Sequence, residues 1–316
     1  MRVLVTGGAG FIGANLCREL TARAEIGEVI ALDDLSTGRA ENLDGTDVRL
    51  IRETILDPDQ VSKHVSEVDA VVHLAARPSV PRSLTDPVAS HDVNATGTIN
   101  VLEACRRGSV HLVLASSSSV YGSVRDLPKH EDLPTRPLSP YGASKLAGEA
   151  YALAYGASFG LPVLPFRFFN VYGPLQPAGH AYAAVIPAFI DAALRGDPVL
   201  VHGDGGQTRD FTFVGTVTGV LADAVLRRVT SAEPVNLAFG TRVSLLELTR
   251  RLSTVVGTAV EVRHGPSRTG DVRDSQAADG RLHRLFPEAV PVPLETGLEQ
   301  TVAWFRESSA RTAAPS

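Results

Sequence analysis

The run Arg2-Val3-Leu4-Val5-Thr6-Gly7-Gly8-Ala9-Gly10-Phe11-Ile12-Gly13 decides the fold. Its first five residues form a short apolar strand, and a helical pattern begins at Ile12 and continues to Ala22. Between the two, Gly7, Gly10 and Gly13 allow a tight turn, close approach of backbone to a pyrophosphate, and close packing of helix on strand. The unpaired N–H groups at the helix start then face the phosphates. A glycine-rich loop alone means little. Placed strand–loop–helix at the head of the chain, it marks a dinucleotide-binding α/β fold.

Outward from this unit, short β-branched runs alternate with helical patterns. Strands are predicted at Arg2–Thr6, Glu28–Leu32, Val48–Ile51, Ala70–Leu74, His111–Ser116 and Pro162–Phe169, and helices at Ile12–Ala22, Pro58–Val65, Asp92–Arg106 and Tyr141–Phe159. Continuous apolar strands such as Val71-Val72-His73-Leu74-Ala75 suit burial on both faces, as in a parallel sheet. The alternation predicts a doubly wound parallel Rossmann sheet with right-handed crossovers. Beyond about residue 170 the alternation weakens and Gly and Pro increase, as in Tyr172-Gly173-Pro174 and Gly203-Asp204-Gly205-Gly206. This part reads as a smaller α+β substrate-binding lobe. The expected division is 1–169 plus about 211–240 for the dinucleotide domain, and 170–210 plus about 241–312 for the lobe.

The chain has 316 residues, 44% hydrophobic and 21% charged, with a net charge of −5. That is ordinary for a globular enzyme, and with no basic block neither nucleic acid nor an anionic membrane is an expected partner. Cys17 and Cys105 lack the spacing of a metal or redox site. The first apolar run is too short for a signal peptide, and no stretch is long enough to span a bilayer. A cytoplasmic location is the expectation.

Asp33 follows Gly13 by about twenty residues, at the end of the second strand. Its carboxylate can accept from an adenosine ribose and would repel a 2′-phosphate, which favours NAD; nearby Arg39 keeps NADP open. Tyr141-Gly142-Ala143-Ser144-Lys145 puts a phenol and an ammonium one helical turn apart. A phenol near pKa about 10 is a poor base, and the ammonium beside it, with a positive nicotinamide, would favour the phenolate. Ser116-Ser117-Ser118-Ser119 lies at a strand's carboxyl end, where ligands bind in such sheets.

By these residues the chain resembles the extended short-chain dehydrogenase/reductases, and within them the nucleotide-sugar 4-epimerases. The likeness spans about residues 1 to 306. It also rests on His73-Leu74-Ala75-Ala76, Asn94, Arg167-Phe168-Phe169-Asn170-Val171-Tyr172-Gly173, Gly203-Asp204-Gly205 with Arg209-Asp210-Phe211, and Arg268 with Gly270-Asp271. The resemblance implies a bound NAD, a UDP-sugar substrate, and oxidation of the C4 hydroxyl to a transient 4-keto sugar that is reduced from its other face. Tyr141 would be the base, Lys145 its tuner, and Ser117 the hydroxyl partner. The implied cofactor set is Gly7, Gly10, Phe11, Ile12, Gly13, Asp33, Ile55, Leu74, Ala75, Ala76 and Asn94, with Tyr141 and Lys145. For the sugar nucleotide it is Ser79, Ser117, Ser118, Ser119, Asn170, Val185, Ile186, His202, Arg209, Arg268, Asp271 and Ser275, with Arg209 and Arg268 clamping the phosphates. A homodimer through the helices Asp92–Arg106 and Tyr141–Phe159 is also implied. Pro78 replaces a lysine common in the family, and Thr54-Ile55 an Asp-Ile pair.

Related chemistries differ at a few positions. The 4,6-dehydratases carry an Asp-Glu pair where this chain has Ser118 and Ser119, and a hydroxyl cannot do that proton transfer. Decarboxylases use a Glu near Ser119, which is missing. Glucuronate 4-epimerases place Arg after the Val-Tyr-Gly-Pro motif, where this chain reads Leu175-Gln176-Pro177. A buried carboxylate without a cationic partner is costly, so a uronate is disfavoured unless Arg82 or His180 serves. Ser275 stands where some glucose-specific relatives have Tyr, leaving room for a 2-acetamido group. The expected substrates are therefore UDP-GlcNAc and UDP-GalNAc, alongside UDP-Glc and UDP-Gal. The rival readings are a reductase with net hydride transfer, and a non-catalytic NAD sensor, in which the Tyr or Lys would be lost.

Overall fold

Strand β1 (Arg2–Thr6) enters helix α1 (Phe11–Thr21) through the glycine loop, and Gly10 stands at the N-cap without a capping side chain. The computed structural model describes residues 1–178, 184–266 and 273–313. The chain continues through β2 (Glu28–Leu32), β3 (Arg49–Ile51), α2 (Pro58–Val65), β4 (Ala70–His73), α3 (Val80–Thr85), α4 (Pro87–His91), α5 (Gly97–Gly108), β5 (His111–Ser117), α6 (Pro140–Phe159) and β6 (Val163–Phe168). The predicted helix Asp92–Arg106 is not uniform: Asp92–Thr96 is a π-helical turn ahead of α5. Helices α3 and α4, each opened by a side-chain cap and a proline, were not expected from the sequence.

Next come β7 (Asn170–Tyr172), α7 (Val185–Arg195), β8 (Val199–His202), β9 (Thr208–Arg209), β10 (Phe211–Phe213), α8 (Val214–Leu226), β11 (Val235–Leu237), β12 (Val243–Ser244), α9 (Leu245–Val256), β13 (Val262–Gly265), α10 (Gly280–Leu285) and α11 (Leu294–Ala313). The main sheet has seven strands in the order β11-β6-β5-β4-β1-β2-β3. Every pairing in it is parallel. Strand order departs in both directions from the β1–β4 pair, so a crevice opens beyond the carboxyl ends of those strands.

Alternate residues build the two faces. Val3, Val5, Ala70, Val72 and Val113 join α1 and α8 in one core, whereas Leu4, Val71, Leu112 and Leu114 join α2 and α5 in another. A third core around Tyr172, Ile190, Val201, Phe213 and Leu248 holds α7, α9 and α11 together. Leu282 of α10 and Phe286 pack into the first core, although the sequence assigns 241–312 to the smaller lobe. The three smaller pairings are β7 with β10, β9 with β12, and β8 with β13.

Candidate active site

A cleft of about 790 Å³ lies across the carboxyl edge of the sheet. At one end it is walled by the glycine loop, where Gly7, Gly10, Phe11, Ile12 and Gly13 meet Leu74, Ala75 and Ala76. The glycines are required by crowding. A Cβ on Gly13 would sit 2.1 Å from the Gly7 carbonyl oxygen, and one on Gly7, at φ +69°, would sit 2.7 Å from the Ala75 nitrogen. Asp33 closes this end, its carboxylate accepting from the N–H groups of Ala9 (3.0 Å) and Leu35 (2.8 Å). Burial raises its pKa, and those hydrogen bonds act against the rise. Thr54 and Ile55 line the same end. Arg39 is exposed, and its N–H serves the Ala9 carbonyl. A narrow glycine floor beside a fixed carboxylate fits a dinucleotide.

The chemistry sits at mid-cleft. Helix α6 starts where it does because Ser139 caps the Gly142 N–H and Pro140 takes the first turn. Its buried face is Gly142, Ser144, Lys145, Gly148, Glu149 and Ala152, unusually small and polar for a helix packed on a sheet. Ser83 of α3 caps the Tyr141 N–H at 3.0 Å. The Ser117 hydroxyl accepts the Ser119 N–H at 3.1 Å and hydrogen-bonds the Tyr141 phenol. Burial pushes the phenol pKa up, and the Ser117 bond pulls it down. Lys145 falls to about 8, again through burial, with Glu149 opposing. Among the protein's own groups desolvation outweighs the Ser117 bond, so the phenolate expected from the sequence depends on the positive nicotinamide as well as on Lys145.

Asn94 does not line the cleft. It is buried behind it, where its side chain accepts the Arg77 N–H at 2.7 Å and donates to Ser144 Oγ at 3.0 Å, tying the loop after β4 to the catalytic helix. Below it, Thr98 Oγ1 donates to the Asn94 carbonyl at 2.8 Å and so must accept from His73 Nε2 at 3.0 Å. His73 Nδ1 then accepts from Thr6 Oγ1 at 2.7 Å, and Thr6 accepts the Ala75 N–H at 3.3 Å. One buried chain of hydrogen bonds joins α6 to the strand ends under the glycine loop.

At the far end the cleft is lined by Ser79, Ser118, Asn170, Val185, Ile186, His202, Arg209 and Ser275. Ser79 holds φ +98°, a strained value for a residue with a side chain, on the wall beside α3. Asn170 donates to the Asp210 carbonyl at 3.1 Å, and Arg209 donates to the carbonyls of Thr208 (2.8 Å) and Arg273 (3.1 Å). Buried Asp210, raised to about 6 by desolvation, accepts from Ala277 N–H and Thr241 and so fixes the segment carrying Ser275. Arg268, Asp271 and His180 lie outside the described residues. Gln176, Gln207, Lys129 and Asp274 also line the cleft, though no local motif singles them out.

Comparison with known proteins agrees with this geometry. A UDP-glucose 4-epimerase of Mycolicibacterium smegmatis is 37% identical over 319 residues, covering 98% of this chain and 100% of that protein. A structure of UDP-N-acetylglucosamine 4-epimerase from Methanobrevibacter ruminantium, in complex with UDP-N-acetylmuramic acid, superposes with a TM-score of 0.91 at 32% identity, covering 97% of this chain and 98% of its own. The UDP-glucose 4-epimerase of Thermus thermophilus, in complex with NAD, gives 0.86 at 38% identity, covering 97% and 99%. Residues 3–238 match the NAD dependent epimerase/dehydratase family, and the chain belongs to it.

Proposed function

We propose that the chain is an NAD-dependent UDP-sugar 4-epimerase. The observation that carries this is the meeting of Ser117, Tyr141 and Lys145 on one cleft that also contains the glycine loop and Asp33. Gly7, Gly10 and Gly13 would admit the pyrophosphate, Asp33 the adenosine ribose, and Lys145 the second ribose. When bound, NAD supplies a reversible hydride acceptor and, oxidised, a positive charge that offsets the cost of a buried phenolate. Tyr141 Oη takes the C4 hydroxyl proton as the C4–H bond breaks, leaving a 4-keto sugar, and returns it when hydrogen is restored to the opposite face. Ser117 Oγ hydrogen-bonds the same oxygen and steadies its changing charge. Arg209 would meet the diphosphate with its planar fork. Ser118 and Ser119 supply no carboxylate for dehydration, which favours epimerisation over that relative's reaction. Small Ser275 on the sugar wall supports acceptance of a 2-acetamido group.

We also propose a homodimer through α5 and α6, supported by exposed Tyr151 and Phe159 on α6, and a cytoplasmic location, supported by two buried, unpaired cysteines. No helix among the described residues is long and apolar enough to cross a membrane. The function is tested by following UDP-glucose and UDP-N-acetylglucosamine by NMR without added cofactor. Inversion at C4 is expected, and Tyr141→Phe should abolish it while NAD stays bound. Retained turnover in that variant would remove Tyr141 from the mechanism.

A further inference from the structure

We propose that Lys129 reads charge in the sugar pocket, and that the substrate is a nucleoside diphosphate sugar whose hexose carries a carboxylate. This rests on the epimerase reading above and narrows its substrate class.

Lys129 is 4% exposed and lines the cleft with Ser119, Tyr121, Gly122 and Ser275. Its backbone is locked to the segment that carries Ser275. The Lys129 N–H donates to the Gln276 carbonyl at 2.7 Å, and its carbonyl accepts from the Ala278 N–H at 2.8 Å and Asn236 Nδ2 at 2.8 Å. The root of the side chain is thereby fixed on the wall where a small serine leaves space. Its ammonium donates to the Val124 carbonyl. Among the described residues it forms no ion pair, and Asp126 acts on it only as a more distant charge.

An ammonium has three donors, and burying one with a single carbonyl partner costs free energy that an apolar residue would not. Burial accordingly lowers its pKa. A carboxylate on the sugar would take up the unused donors as a charge-assisted pair, strong where water is excluded. The sequence disfavours a uronate because no arginine follows Gly173-Pro174, and Arg82 on α3 is not part of the cleft lining. Lys129 supplies that missing cation from a loop between β5 and α6, a different part of the chain.

The test compares full-length wild type with Lys129→Met and Lys129→Arg, measuring kcat/KM for UDP-glucuronate and UDP-glucose. Wild type should prefer UDP-glucuronate. Lys129→Met should lower the ratio of the two constants by about 30-fold or more, as expected when one partner of a buried charge pair is removed, and Lys129→Arg should restore part of it. An unchanged ratio in Lys129→Met, or a wild type that prefers UDP-glucose, overturns the assignment while leaving the epimerase intact. Turnover of neither sugar overturns both. Should Lys129→Met fail to fold, competition in wild type decides: UDP-glucuronate must inhibit at lower concentration than UDP-glucose, and the reverse order refutes the role.

Discussion

Glu149 and Arg167 form an ion pair of 2.6 Å in which each side chain is almost wholly out of water. Glu149 lies one helical turn beyond Lys145 and also accepts from Ser116 Oγ at 2.6 Å, next to Ser117. Arg167 in turn stacks over Tyr121, 4.7 Å from its ring centre. The pair therefore clamps the catalytic helix to strands β5 and β6. Removing Glu149 alone as Glu149→Ala should destabilise the fold by about 3–5 kcal/mol, because Arg167 would be left charged and unpaired in the core. Urea unfolding should show it. The double variant Glu149→Met with Arg167→Met should lose less than the sum of the single losses; strict additivity would mean the two side chains do not act together.

His73 is the acid-sensitive element. Burial, with Lys145 adding to it, lowers its pKa to about 3. The unfolded chain then binds the proton more readily, so the contribution is complete above about pH 6.5 and is lost as pH falls toward 3. In that window stability should drop by about 1.4 kcal/mol per pH unit from this group. Urea midpoints between pH 7.5 and 5 should fall more steeply for wild type than for His73→Asn. Parallel slopes would show that the imidazole is not held neutral.

Asn94 sets orientation from behind the cleft. Asn94→Ala leaves the Arg77 N–H and Ser144 without their partner and should cost about 1–3 kcal/mol. Turnover should fall about tenfold, chiefly in kcat, as expected when a catalytic group is slightly misplaced. NAD should remain bound after purification, as read by absorbance of the denatured protein. Loss of NAD with unchanged kcat in the reconstituted enzyme would instead mark Asn94 as a cofactor ligand.

Gly13→Ala forces a methyl into the Gly7 carbonyl at 2.1 Å. Backbone must move, at a cost of about 1–3 kcal/mol or more, and the loop should no longer hold the dinucleotide. The variant should purify without NAD and show little turnover. Full NAD content would mean the loop tolerates the shift.

Local signals made much of this legible. The glycine loop, Asp33 and the Tyr141–Lys145 spacing are each set by a few neighbouring residues, and strands β1 and β2 begin and end where their apolar runs do. What escaped depends on distance along the chain. Lys129 reaches the cleft through a backbone pairing with residues 276–278, and Asn94, inside the π-helical turn ahead of α5, commits its side chain to Arg77 and Ser144. The elevated phenol of Tyr141 likewise follows from how deeply α6 is seated, a property no motif encodes.

The chain leaves the main sheet at Phe168, pairs β7 with β10 in passing, and returns only at Val235–Leu237 to add the seventh strand. During synthesis, that edge of the sheet stays open until residue 237 has emerged, with β6 bare meanwhile. A break anywhere between 173 and 234 would part strands that need each other, so two fragments could regain structure only by recombining.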